Sequence, residues 1–240
     1  MKHFILASLL ILSAVFSLDA RDVYIFSVGV SDYPGTINDL TFPSKDAKAM
    51  IRLYRQQGSG HTYLLTDANA NRATILEKAR QLFKNAKADD IVVFFFSGHG
   101  YPGGFCAYDG NLTYQDVKSL FAKCKSQNKM IFADACFAGD FRGKKASKTR
   151  NKLSQSVMLF LSSRDDEVSY DGTRDMNNGV FTACLLSGLK GGADLNRDRV
   201  ITAYELFKAV SQGVSKMTRD KQHPVMWGKF NHDMPVMTWK

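Results

Sequence analysis

Ile91-Val92-Val93-Phe94-Phe95-Phe96 is the longest uninterrupted apolar run beyond the first twenty residues. It is rich in β-branched and aromatic side chains and shows no polar alternation. That pattern describes a strand buried on both faces, as in the middle of a parallel sheet. The run ends abruptly at Ser97-Gly98-His99-Gly100. Similar runs flank it. Val23 to Val30 precedes it and stops at the turn signal Asp32-Tyr33-Pro34-Gly35. Met130-Ile131-Phe132-Ala133 follows and stops at Asp134-Ala135-Cys136. Val157 to Leu161 comes next and stops at Ser162-Ser163.

Helical spacing fills the gaps between these strands. One helix is predicted from Lys45 to about Gln57, capped by Ser44 and ended by Gly58. A second spans Arg72 to Lys84, with Ile75, Leu76, Ala79, Leu82 and Phe83 on one face. Others are predicted at Tyr114–Lys123, Phe181–Leu189 and Ala203–Ser215. Tyr63-Leu64-Leu65 is a short strand, and segments near Val225-Met226 and Met234–Thr238 close the chain. Strands alternating with helices predict an α/β fold, a mostly parallel central sheet with helices on both faces. Ligand sites in such sheets lie beyond the carboxyl ends of the strands. His99, Cys136 and the Ser163–Asp171 loop should therefore meet at one edge.

The 240 residues are 45% hydrophobic and 23% charged, which excludes a disordered or fibrous chain. Residues 1–20 read as a signal peptide: Lys2, then apolar and small residues from Phe4 to Phe16, then a cleavage site at Leu18-Asp19-Ala20. The other reading is an uncleaved anchor, although the run is short for a spanning helix. Export to the periplasm or the extracellular space is expected, with residues 21–240 as one domain and no stable membrane insertion after leader removal. Lys2 and Asp19 cancel, so the formal charge stays at +9. The basic residues are scattered apart from a cluster at Arg142–Lys152. No aromatic-rich motif accompanies them, which argues against a nucleic-acid partner. No phosphate-cradling glycine loop appears, and no cofactor is expected.

Cys136 and His99 each follow a buried strand and sit among small residues. A cysteine needs a nearby base or positive charge to act as a thiolate near neutral pH, and an imidazole one strand away supplies it. The backbone N–H groups of Gly100 and Cys136 are the natural donors for an oxyanion. Taken singly, a cysteine after a strand is a small buried residue and a histidine between glycines is a turn residue. At adjacent strand ends the two together point to catalysis.

Ser97-Gly98-His99-Gly100 followed by Asp134-Ala135-Cys136-Phe137-Ala138-Gly139 resembles the caspase-like cysteine peptidases, especially their bacterial metacaspase and orthocaspase branch. Val28-Gly29-Val30, Asp46-Ala47 and Gly179-Val180-Phe181-Thr182 match the family pattern too. The likeness runs from Val23 to about Gly228. It implies a caspase-like three-layer sandwich, a Cys136–His99 dyad and peptide-bond hydrolysis through a thioester. Phe137-Ala138 departs from the usual His-Ser, at positions that do no chemistry in the dyad.

The resemblance also implies a substrate pocket. Caspases cut after Asp, using Gln and Arg where this chain has Asp134 and, in a later loop, Asp171. Metacaspases are acidic there and at the Asp46 position, and they cut after Arg or Lys. Converging carboxylates favour a basic side chain on charge grounds alone. The expected substrate-binding set is Asp46, Asp134, Asp171 and Ser97, and the expected partners are proteins or peptides with basic residues at the cleavage site. The competing role for Asp46 is a helix cap, and for Asp134 a loop tie.

Three further expectations are open. An Arg/Lys-directed enzyme could cut itself within 140–152, or that basic stretch is simply a solvated loop. Asp194, Asn196, Asp198, Val200 and Glu205 have calcium-loop spacing, but Arg199 stands where the sharp turn wants Gly, so helix capping is the reading preferred and no metal is assigned. If Cys136 is the nucleophile, Cys106, Cys124 and Cys184 allow at most one disulfide. The non-peptidase alternatives are a catalytically silent caspase-like binding domain and acyl transfer to a non-protein substrate.

Overall fold

The computed structural model describes residues 21–136, 157–164, 167, 169–170 and 176–238. The leader, the basic stretch 140–152 and Asp171 lie outside these residues.

Six strands make the central sheet: β1 (Val23–Gly29), β2 (His61–Thr66), β3 (Ile91–Ser97), β7 (Asn128–Asp134), β8 (Val157–Leu161) and β10 (Val225–Trp227). Their order is β10-β8-β7-β3-β1-β2. Only β10 runs antiparallel, on the β8 edge. β3 lies between β1 and β7, and all seven of its residues are buried, as the apolar run requires.

The period-two geometry of β3 divides its side chains between two cores. Phe94 and Phe96 face one core with α2 (Arg72–Phe83) and α3 (Tyr114–Ser119). Val93 and Phe95 face the other with α1 (Pro43–Gln56), α4 (Val180–Ser187) and α5 (Ala203–Met217). Stacked or edge-on rings bind neighbouring elements on both sides, Phe26 with Phe94 and Phe160 with Phe181. The three-layer α/β expectation therefore holds.

The structure adds and corrects elements. A small antiparallel sheet, β4 (Gly100–Tyr101), β5 (Gly104–Ala107) and β6 (Gly110–Thr113), follows His99 directly. The third helix ends at Ser119, shorter than its apolar spacing suggests. A further strand, β9 (Val200–Thr202), pairs with β11 (Pro235–Thr238) away from the central sheet. Ser44 does not cap α1. Pro43 opens that helix after Phe42, and the Ser44 hydroxyl gives its one proton to Asp67 at 2.6 Å, with the Gly29 carbonyl 3.2 Å away.

Candidate active site

The strand register brings the two chemical ends together. Ser97 at the end of β3 is paired with Asp134 at the end of β7, and the Gly98 N–H donates to the Asp134 carbonyl at 3.2 Å. His99 and Cys136 each lie two residues beyond these paired positions. Gly100 packs directly on the Cys136 backbone: a methyl group added to Gly100 would fall 2.1 Å from the Cys136 carbonyl oxygen. A side chain is excluded there, which is the physical reason for glycine after His99.

Two contacts from the turn after β1 hold His99. Its Nε2 lies 2.8 Å from the carbonyl oxygen of Asn38. A carbonyl only accepts, so Nε2 carries the proton and Nδ1 is left as the basic atom. The Tyr33 hydroxyl accepts the His99 backbone N–H at 2.9 Å, and the Tyr33 ring lies against the imidazole with centroids 5.0 Å apart. Burial pushes the Tyr33 phenol well above its ordinary pKa, so it stays neutral. The turn itself is tied down by Asp67, which accepts from the N–H groups of Ser31 and Asp32, and by Asp39, which accepts from that of Tyr33. Tyr33 and Asn38 were not among the sequence candidates. Only the turn signal around Pro34 marked their position.

Asp46, Asp134 and Ser97 do converge. Asp46 sits in the first turn of α1 and is 1% exposed. Its oxygens accept from Asn178 Nδ2 at 2.7 Å, from the Gly179 N–H and from Ser97 Oγ at 2.9 Å. It makes no cap. Asp134 accepts from Ser169 Oγ, from the Thr182 hydroxyl and from the Thr182 N–H. A methyl group on Gly179 would lie 3.0 Å from one Asp134 oxygen and 3.4 Å from one of Asp46, so both carboxyls crowd the same backbone point. Burial, reinforced by the Asp134 charge, pushes the Asp46 carboxyl up to about 8, against the lowering effect of its three hydrogen bonds. Asn178, Thr182 and Ser169 escaped the sequence reading, because nothing in a lone polar residue shows which distant carboxylate it meets.

The Caspase domain family matches residues 26–234 of the sequence. The chain belongs to that family. Among solved structures, a caspase-1 from Spodoptera frugiperda superposes with a TM-score of 0.69 at 16% identity, over 92% of this chain and 91% of its own. A Geobacter sulfurreducens protein, GSU0716, gives 0.69 at 18% identity, over 92% of this chain and all of its own. At such identities the likeness is one of fold. A comparison with curated protein sequences finds no match.

This caspase domain fastens the loop after β8 through its carboxyl-terminal segment. The Gln222 side chain donates to the Ser162 carbonyl at 2.8 Å and to Ser169 Oγ, and accepts the Tyr170 N–H at 3.0 Å. Next to it His223 lies 2.8 Å from Glu167. Ser169, the Asp134 partner, is thus set by residues that follow α5.

Other candidates lie apart. The Asp194–Glu205 turn bonds largely within itself: Asp194 Oδ2 accepts from Arg199 N–H, Asn196 from Asp198 N–H and Asp198 from Val200 N–H, while Asp194 Oδ1 is buried without a partner among the described residues. Glu205 closes a capping box with Thr202 at the start of α5. Cys106, Cys124, Cys136 and Cys184 are all unbridged. Among the described residues no helix is long and apolar enough to cross a membrane.

Proposed function

We propose that this caspase domain is a cysteine endopeptidase with Cys136 as nucleophile and His99 as base. The observation that carries the reading is the packing of Gly100 on the Cys136 backbone at the ends of two paired strands, with His99 between them in sequence and anchored through Nε2. In the proposed reaction His99 Nδ1 takes the thiol proton and the sulfur attacks the scissile carbonyl carbon. The oxyanion is met by the backbone N–H groups of Gly100 and Cys136. The C–N bond then breaks, the leaving amine receives the proton from His99, and a thioester remains. Water, deprotonated by the same imidazole, hydrolyses the thioester and frees Cys136.

We infer cleavage after Arg or Lys, as in the metacaspase and orthocaspase branch that the sequence motifs resemble. Two buried carboxyls side by side support it: the cost of ionising Asp46 beside Asp134 falls when a guanidinium or ammonium arrives between them. Asp171 is proposed as the third acidic member from the sequence alone. Export through residues 1–20 and self-cleavage within 140–152 rest on the sequence in the same way.

A panel of fluorogenic peptides ending in Arg, Lys or Asp tests the reading. The wild-type chain is expected to release dye from the Arg and Lys reporters, and Cys136→Ala and His99→Ala to release none. Cleavage after Asp would overturn the specificity, and equal turnover by Cys136→Ala would overturn the nucleophile. Processing of the Cys136→Ala chain by itself would refute self-cleavage.

A further inference from the structure

A cleft of about 410 Å³ runs between α1 and α4 on the outer face of the molecule. Four cations line it: Lys45, Lys48 and Arg52 from one face of α1, and Lys190 from the turn after α4. The remaining polar lining is amide, from Gln56, Asn177 and Asn178, over a floor that includes Leu53 and Leu186. Among the described residues no carboxylate lines the cleft. Lys48, Arg52 and Lys190 form no ion pair among the described residues, and Lys45 stands over the Phe42 ring at 5.5 Å. Four convergent cations with no ion pair among the described residues, gathered in one concavity, are a local excess and not a consequence of the +9 net charge alone.

The cleft starts at the proposed substrate pocket. Asn178 lines its upper end and gives its amide to Asp46 at 2.7 Å. Asp46 is in the first turn of α1, and Gly179, which opens α4, donates to the same carboxylate. Both helices begin beside the acid pair, and the cationic groove leads away between them. Lys45 to Arg52 spans about 10 Å of helix axis, the reach of about three extended residues.

We propose that this groove is an accessory binding site for a short acidic segment of the peptide substrate. That the segment belongs to the substrate rests on the peptidase reading; the binding itself does not. The chemistry favours an acidic peptide. Lys and Arg meet carboxylates, while amide side chains can both donate to and accept from a peptide backbone. Among the described residues no aromatic ring lines the cleft to stack a nucleobase. A recessed groove suits a chain better than the flat surface of a bilayer. The substrate implied is one with a basic residue at the cleavage point and an acidic stretch a few residues away, two opposite charges read by two opposite sites.

Fluorescein-labelled hexaglutamate, titrated into the full chain carrying Cys136→Ala and followed by anisotropy, tests the site without turnover. Binding is expected at low salt, weakening as salt rises. Adding Lys48→Glu and Arg52→Glu should weaken it by roughly tenfold or more. Adding Lys123→Glu and Lys125→Glu, an equal charge change outside the groove, should leave it near the starting value. A Lys48→Gln, Arg52→Gln pair replaces the first variant if circular dichroism shows it unfolded. No binding, an equal loss in both variants, or groove-dependent retention on phosphatidylglycerol vesicles without peptide binding would each overturn the proposal. In a second arm, kcat/KM for a basic reporter with a triglutamate extension is divided by that for the plain reporter. A ratio no higher in the wild type than in the groove variant overturns the link to substrate. If no reporter is cut, the peptidase reading fails while the anisotropy result still decides the groove.

Discussion

The Tyr33 hydroxyl takes the backbone N–H of His99 at 2.9 Å and gives its own proton to the Cys106 carbonyl at 3.1 Å. Cys106 returns its N–H to the His99 carbonyl at 2.9 Å. Both polar backbone atoms of His99 are thereby fixed, one through a side chain that belongs to a distant turn. Tyr33→Phe keeps the ring and removes the hydroxyl, leaving the half-buried Cys106 carbonyl and His99 N–H short of a partner. Stability should fall by about 1–3 kcal/mol in urea denaturation. With the imidazole less well placed, kcat on a basic reporter should fall by roughly 10- to 100-fold with KM little changed. The pH profile of Cys136 alkylation by iodoacetamide should move as well, a readout that a purely structural role would leave alone.

Gly100→Ala forces a methyl group against the Cys136 carbonyl, since there is no space for it at 2.1 Å. One of the two backbones must shift. The expected result is loss of reporter cleavage and of rapid thiol alkylation in a protein whose circular dichroism spectrum is unchanged. Wild-type kinetics in this variant would show that Gly100 and Cys136 do not act as neighbours.

Asp46 gives a pH dependence whose sign follows from burial. Its folded-state value of about 8 stands above the ordinary 3.8, so the native chain keeps a proton that the unfolded chain releases. That contribution to stability is complete below about pH 4 and is lost as pH rises through about 8. Between about pH 4 and about pH 8 the wild type should therefore lose stability that Asp46→Asn retains, measured as unfolding free energy in urea at each pH, and the two profiles should run parallel above that range. Parallel profiles within the range would contradict the buried, raised carboxyl.

The core prediction comes from β3. Phe95 is fully buried among the α1, α4 and α5 side chains. Phe95→Ala should cost about 3–5 kcal/mol, read from the urea midpoint at constant slope.

That residue also shows what the primary structure made legible. The Ile91–Phe96 run declared a central strand because continuous apolarity has one cheap solution, burial on both faces. Its two neighbours were readable for the same reason, and the three helices over Phe95 from the 3.6-residue spacing of their apolar side chains. The β4–β6 sheet was not, because strands of two to four residues with Gly103, Gly104 and Gly110 among them carry no periodic signal. At the site, His99, Cys136 and Asp46 stood out through their motifs. Tyr33, Asn38 and Asn178 did not. A backbone carbonyl leaves no trace in a side-chain pattern, and the Asn178–Asp46 contact joins residues 132 positions apart.

Gln222 has a consequence for timing. The strands β3, β7 and β8 and the residues His99 and Cys136 all precede it in the chain. A polypeptide emerging from the ribosome has His99 and Cys136 before it has the side chain that fixes Ser162, Ser169 and Tyr170. Until the segment beyond α5 has been synthesised and laid onto the β8 edge, the hydrogen bond from Ser169 to Asp134 lacks the support of Gln222. A nascent or prematurely terminated product would carry Cys136 and His99 with the β8 loop still unfastened, so the order of synthesis makes this loop among the last parts of the sheet edge to be completed.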